Sequence, residues 1–169
     1  MESATENETP PLGGWSTGDW SIKQRLSPLA AFLPALSSPA FQAGEWIGAE
    51  QQGDAIFMGS FELEPTAKRF VQTAYDYGWV IDFNWPEWNR TEESQALYHD
   101  PDLLAHASVI QLAKLLTARI RIDRFCDGAL AADFKSGLMM RVVARAAALL
   151  TLDESIIFGP PRRSGALPL

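Results

Sequence analysis

The chain has 169 residues, of which 47% are hydrophobic, 21% are charged and 11% are aromatic. This size and composition predict one globular domain, since the apolar material is sufficient to offset the conformational entropy lost on folding. No stretch approaches the roughly 20 consecutive apolar residues that a membrane helix needs, so we expect no membrane partner. The single cysteine, Cys126, excludes an intrachain disulfide and favours a cytoplasmic location.

The net charge of −7 is unevenly distributed along the chain. Residues 1–113 carry 5 basic and 16 acidic side chains, whereas residues 114–169 carry 9 basic and 5 acidic side chains. An acidic chain argues against non-specific binding to a phosphate backbone. The basic C-terminal third still offers a local site for an anion or a nucleic acid, unless the two halves attract each other within the fold.

Composition predicts a tail at each end of the domain. We expect a disordered acidic tail over residues 1–16, a single globular domain over residues 17–152, and a C-terminal tail containing Pro, Gly and Arg over residues 153–169.

The first predicted element is a helix. Its N-cap lies within Thr17–Asp19, Pro28 bends or divides it, and Pro34 and Pro39 end it.

A β-hairpin follows the first helix. Two short apolar runs, residues 45–50 and 54–58, flank a Gln-Gln-Gly turn. Such runs around a glycine turn are typical of antiparallel strands, although Gly48 and Gly59 weaken both of them.

The middle of the chain alternates in its predicted structure. A helix starts at Pro65 and ends at Gly78, the apolar run Trp79–Phe83 predicts a third strand, and Asn84–Trp88 predicts a loop. The next helix starts at Thr91 with two acidic residues in its first turn.

The C-terminal third has the strongest helical pattern. Asp100 caps a helix that runs to Ile120, a short helix follows Gly128, and Leu138–Leu150 forms the last one. We therefore predict an α+β fold: a helix-dominated single domain with a small antiparallel sheet packed against about six helices. We also expect the apolar faces of the C-terminal helices to close over the strands.

Several short motifs occur in order along the chain: Phe32-Leu33-Pro34, Gly78-Trp79-Val80, Phe83-Asn84-Trp85 with Trp88, Leu115-Leu116-Thr117-Ala118, Asp123-Arg124-Phe125-Cys126-Asp127-Gly128 and Phe134-Lys135-Ser136-Gly137. Together they resemble a prokaryotic family catalogued only as a domain of unknown function, over roughly residues 18–150. The resemblance implies the fold of small cytoplasmic bacterial and archaeal proteins and implies no established activity. Asn84 stands where the family usually has Asp, and Ala129 where it usually has His. A family chemistry that used those two side chains would be lost here.

The aromatic segment around Trp79, Trp85 and Trp88 is the first candidate binding site. Aromatic faces beside carboxylates such as Asp82 and Glu87 attract cationic or planar ligands. The alternative is that the rings cover one end of the sheet while the acids face water.

A second candidate site is the arginine-rich stretch beginning at Arg119. Arg121 and Arg124 are three residues apart, so on a helix they present two guanidinium groups to a phosphate or carboxylate. The alternative is internal pairing of these arginines with Asp123, Asp127 and acids from the N-terminal half.

The C-terminal helices also allow a helix-turn-helix interpretation. Arg141 and Arg145 are four residues apart and share a face that would lie along phosphates. The apolar residues of the same helix favour a position in the core instead.

The remaining chemistry-bearing residues form no complete catalytic or metal set. Cys126 precedes a helix start near Arg124, but neither histidine has a clear relation to it, which favours a small buried core thiol. Pro101 places His99 and His106 on different elements, and no paired metal-ligand spacing or nucleotide-binding motif is present. The sequence therefore predicts no metal and no cofactor.

Three functional hypotheses follow. The first is a non-catalytic cytoplasmic interaction protein that binds a protein or a small anion, with a version that is an acidic inhibitor from a mobile element or phage. The second is a nucleic-acid-binding protein that uses the C-terminal three-helix unit. The third, favoured less, is an enzyme that uses Asp82, Glu87 or Cys126. No oligomeric state is predicted.

Overall fold

A computed structural model describes residues 21–48, 50–57 and 59–152. The predicted tails and the predicted N-cap Thr17–Asp19 lie outside the described residues. The elements, in chain order, are α1 (Ile22–Ala30), α2 (Leu33–Leu36), β1 (Gly44–Ile47), β2 (Glu50–Gln52), β3 (Ala55–Phe57), β4 (Ser60–Leu63), α3 (Pro65–Asp76), α4 (Trp85–Trp88), α5 (Glu92–His99), α6 (Pro101–Ala105), α7 (Val109–Asp123), α8 (Ala129–Lys135) and α9 (Leu138–Leu150). The fold is α+β and dominated by helices, as predicted.

Helix α9 lies at the centre of the helical core. It packs along α1 and also contacts α2, α6, α7 and α8. Six of its side chains are buried: Leu138, Met139, Val142, Val143, Ala146 and Leu149. This burial provides the main hydrophobic stabilisation of the helix, because an isolated helix of 13 residues is marginal in water.

The N-terminal helices begin and end at different residues from those predicted. The described part of α1 begins after Ser21, which forms a capping box with Gln24. Pro28 lies inside α1 without ending it, and the helix ends at Ala30. Pro34 lies in the first turn of α2 and does not end a helix, because a first-turn residue needs no N–H partner within the helix.

The four strands form one interrupted hairpin. β1 pairs with β4 and β2 pairs with β3, both antiparallel and in the same register across the interruption. That register places Gly48 opposite Gly59, and both glycines lie outside the strands. The turn lies at Gly53-Asp54, one step later than predicted, and the hairpin extends to Leu63.

The hairpin contacts the helices at its base and is not enclosed by them. No described position of β1 or β4 is buried. The expectation that the C-terminal helices close over the strands is therefore wrong. Their apolar faces pack instead on one another and on α1, whose Leu26 and Leu29 are fully buried.

The predicted third strand, Trp79–Phe83, is also wrong. The N–H groups of Trp79 and Val80 donate to the carbonyl of Ala74 at the end of α3, at 2.8 and 3.3 Å. The N–H of Ile81 donates to the Thr117 hydroxyl at 2.9 Å, and that hydroxyl lies 3.2 Å from the carbonyl of Trp79. These contacts satisfy the backbone without a neighbouring strand.

Two further differences concern helix boundaries. The predicted loop Asn84–Trp88 contains the single turn α4, which Asn84 caps. The helix predicted from residue 101 to Ile120 is two helices, because Ser108 and Gln111 form a capping box that starts α7. The helices that follow Thr91, Gly128 and Gly137 begin where they were predicted.

Within the part of the chain that the structure describes, every helix is too short or too polar to cross a bilayer.

Replacing Thr117 by Val removes a polar side chain that holds the Trp79–Ile81 backbone against α7. We expect the free energy of unfolding to fall by about 1–3 kcal/mol, because a buried N–H then loses its acceptor. Urea denaturation measures this. The matched control is Thr73→Val in α3, a half-buried position for which no comparable loss is expected. Equal effects of the two substitutions would contradict the assigned role of Thr117.

Candidate functional site

The turn between α7 and α8, residues 123–128, is held by hydrogen bonds at both ends. The carboxylate of Asp123 accepts from the N–H of Leu130 at 2.8 Å, and that of Asp127 accepts from the N–H of Phe61 at 2.9 Å. Gly128 has a φ of +85°, which favours glycine. Asp123 and Asp127 therefore bind backbone groups, and neither pairs with an arginine among the described residues.

Between these anchored ends, Arg124 and Phe125 lie at the surface. Phe125 is 78% exposed, and its ring stacks on that of Trp85 with 6.3 Å between centroids and 24° between planes. Arg124 donates to the Tyr75 hydroxyl at 2.9 Å, and its guanidinium lies 5.9 Å from the centre of the Tyr75 ring. We call Tyr75, Trp85, Arg124 and Phe125 the aromatic surface.

The aromatic surface joins the two candidate sites that the sequence indicated separately. Trp85 comes from the aromatic segment and Arg124 from the arginine-rich stretch. Sequence reasoning did not single out Tyr75, which is exposed on α3. It also missed Phe125 as a site residue, although this residue directly follows the end of the apolar pattern of α7.

The other two tryptophans of the segment are structural. Trp79 is fully buried and its indole N–H donates to the carbonyl of Arg25 at 3.1 Å. Trp88 is buried against Phe83, and its indole N–H donates to Glu93 at 2.7 Å. The pKa of Glu93 is lowered, since burial, which would raise it, is outweighed by hydrogen bonds from Gln111 and Trp88 and by the charge of Lys114. Both rings belong to the hydrophobic core. The alternative interpretation placed them over one end of the sheet, but the strand it assumed at Trp79–Phe83 is not formed.

The polar residues of the same segment remain at the surface. Asp82 and Glu87 are exposed. Asn84 accepts from the backbone N–H of Glu87, and its amide donates to the Glu87 carboxylate at 2.6 Å. An ionised Asp at position 84 would still cap the helix but would repel Glu87, so Asn suits this sequence locally.

Arg119 is paired inside the fold. Its guanidinium donates twice to Asp133, at 2.6 and 3.1 Å, and lies 4.7 Å from the centre of the Tyr98 ring. The Asp133 side chain is fully buried and that of Arg119 is 14% exposed. Burial raises the pKa of Asp133, against the effect of hydrogen bonds from Arg119 and Tyr98. Burial and the nearby Asp133 also raise the pKa of Tyr98, which keeps its hydroxyl protonated as a donor.

The three remaining arginines do not complete a common binding face. Arg145 donates to the carbonyl of Ala107 at 2.8 Å, and burial lowers its pKa. Arg141 donates to the carbonyl of Ser136 at 3.2 Å. Arg121 is half-buried, whereas Arg124 is exposed, so their guanidinium groups do not face solvent together as a paired anion site. The Nε atoms of Arg121 and Arg141 are buried without a partner among the described residues.

The prediction that Cys126 is a buried core thiol is wrong, because the residue is exposed in the turn between α7 and α8. His106 contacts the carbonyl of Asp102 through Nδ1 at 2.8 Å, and His99 lies against the Tyr98 ring. The described residues contain no group of three His, Cys, Asp or Glu side chains placed to hold a metal ion.

Comparison with protein families identifies the chain. Residues 21–151 match the model described as "Family of unknown function (DUF6508)", and the chain belongs to this family. The match spans α1 to α9. The search of curated proteins and the search of solved structures found no match.

Replacing Asp133 by Asn leaves the Arg119 guanidinium buried without its counter-ion. We expect the free energy of unfolding to fall by about 3–5 kcal/mol, the usual effect of removing one partner of a buried ion pair. Urea denaturation followed by circular dichroism measures it. The control is Glu62→Gln, which removes the exposed pair with Lys68 and should leave the denaturation midpoint unchanged. A Glu62 effect as large as that of Asp133 would contradict the assignment of the structural pair.

Proposed function

We propose that this protein is a non-catalytic interaction protein that binds a protein partner through the aromatic surface. The observation that carries the proposal is the stacked pair of Trp85 and Phe125, with Phe125 78% exposed on an anchored turn. A partner that covers this ring removes its apolar surface from water, which favours association. Full burial of a Phe side chain contributes roughly 1.5–3 kcal/mol to association.

The chemistry of the surface indicates what the partner presents. Trp, Tyr and Arg are the residues that dominate the energetics of protein interfaces. Arg124 uses one nitrogen for Tyr75, and its other nitrogens have no partner among the described residues. A carboxylate on the partner would accept from those nitrogens, and an apolar side chain beside it would cover Phe125. The preferred partner is therefore a protein segment with an apolar residue next to an acidic one.

The arginines argue against nucleic acid as the main partner. Arg119 is neutralised by Asp133, and Arg145 is occupied by a backbone carbonyl. Helix α9, the recognition helix of a helix-turn-helix interpretation, is packed on five other helices. The described residues form no continuous cationic face, and a chain with a net charge of −7 gains little from counter-ion release.

We also propose that the protein acts in the cytoplasm. Cys126 is exposed and has no second cysteine to pair with in this chain. A reducing compartment keeps such a thiol from forming disulfides with other proteins.

The proposal predicts that a photo-crosslinking residue, p-benzoylphenylalanine, captures a specific protein when it replaces Phe125. The control carries the same residue at Leu103, an exposed position on α6. The captured protein is then purified and its affinity is measured by titration calorimetry. We expect Phe125→Ser and Arg124→Gln each to weaken binding by roughly tenfold or more, the effect of losing about 1.4 kcal/mol. Leu103→Ser should bind as the wild type does.

Folding is verified separately, since Phe125→Ser removes an exposed ring and should change the free energy of unfolding by about 0.5 kcal/mol or less. Equal affinity of all variants for the captured protein would contradict the proposal. Two results would favour the nucleic-acid alternative instead. One is loss of the captured partner after nuclease treatment, and the other is a nucleic-acid gel shift at low salt that disappears in Arg124→Gln.

A further inference from the structure

A cavity of about 810 Å³ lies where the base of the hairpin meets α8 and the segment that precedes β1. Its volume is within the range of roughly 300–1,000 Å³ that is typical of small-molecule sites. The turn at residues 123–128 carries Arg124 and Phe125 of the aromatic surface, but neither residue lines the cavity. Among the described residues of this turn, only Gly128 lines it. The cavity is therefore a different site from the one proposed to bind a protein.

Aromatic rings form two of its walls. Phe41 and Phe134 lie with their centroids 5.6 Å apart on the side of α8. Trp46 and Phe61 meet edge to face at 5.5 Å on the side of the hairpin. Trp46 is 58% exposed, so the cavity opens to solvent at this ring. Walls of this kind favour a ligand with a flat or branched apolar body.

The charge in the cavity has one sign. Lys135, at the end of α8, is the only charged side chain among the described residues that line it. Lys135 forms no ion pair with any described carboxylate. This cation is notable in a chain whose net charge is −7.

The backbone next to Lys135 adds to the positive potential. Gly137 also lines the cavity and is the N-cap of α9, a helix of 13 residues whose first turn has no side-chain cap. The N-terminus of a helix carries a partial positive charge from its free N–H groups. Ser37, Ser38 and Gln42 supply further polar groups at the edge.

From the aromatic walls and the unpaired lysine that lines it, we propose that this cavity binds a small organic anion with an aromatic or branched apolar body. The apolar body lies between the Phe134 and Trp46 walls, and the anionic group pairs with Lys135 near the start of α9. This inference does not depend on the proposed protein partner, since it uses none of the four residues of the aromatic surface.

The test uses two dyes with the same body and different charge. 1-Anilinonaphthalene-8-sulfonate is an anion, and N-phenyl-1-naphthylamine is its neutral counterpart. Each dye is titrated into the folded full chain, and binding is followed by dye fluorescence and by calorimetry. We expect one site for the anion per chain, with energy transfer from Trp46 that is lost in Trp46→Phe.

Lys135→Met should weaken binding of the anionic dye by roughly tenfold or more, since a hydrogen bond to a charged group is lost. The same variant should leave binding of the neutral dye unchanged. The matched charge control is Lys23→Met on α1, which should affect neither dye. Ala132→Trp fills the cavity from an exposed lining position and should abolish binding of both dyes, whereas Ala148→Trp, at an exposed position outside the lining, should not.

The proposal is overturned if Lys135→Met and Lys23→Met have the same effect on the anionic dye. It is also overturned if Ala132→Trp, folded by circular dichroism, binds the anion as the wild type does. If Phe125→Ser loses dye binding while Ala132→Trp binds the dye normally, the dye binds at the aromatic surface. That result would contradict the cavity as the binding site.

Discussion

The hydrogen bond from the N–H of Phe61 to the carboxylate of Asp127, 2.9 Å long, attaches the hairpin to the helices. No described position of β1 or β4 is fully buried, and Leu63 of β4 packs against the hydrophobic core only in part. Among the described residues, this bond, the ion pair of Glu62 with Lys68 of α3 and the contact of Trp46 with Gly128 join the hairpin to the helices. A Cβ at Gly128 would lie 3.0 Å from the Trp46 ring, so a side chain there would displace the ring, and the positive φ of this residue favours glycine.

The turn that anchors the hairpin also carries the features proposed for binding. Arg124 and Phe125 lie on its outer side, and Gly128 lines the cavity. The other candidate groups have structural roles: Arg119 pairs with Asp133, and Trp79 is a core residue. Arg119 thus stabilises the fold, whereas Arg124 and Lys135 lie at the two proposed binding sites.

Much of the helical part could be predicted from the sequence, because local signals define it. The apolar period and terminal glycines predicted α3, α8 and α9. The five-residue run at Trp79–Phe83 suggested a strand, since a buried strand and a buried irregular segment have the same composition. What distinguishes them is Thr117, 36 residues away from Ile81, whose hydroxyl replaces a strand partner. The aromatic surface could not be predicted for the same reason, because its stacked rings are 40 positions apart in the chain.

The most direct test of this account is hydrogen exchange of the hairpin amides in Asp127→Ala, with Asp127→Asn as the variant that keeps an accepting oxygen. We predict faster exchange across Gly44–Ile47 and Ser60–Leu63 in Asp127→Ala, near-normal exchange in Asp127→Asn, and unchanged protection of α9 in both. Unchanged exchange of the hairpin in Asp127→Ala would contradict the account, as would an equal loss of protection in α9.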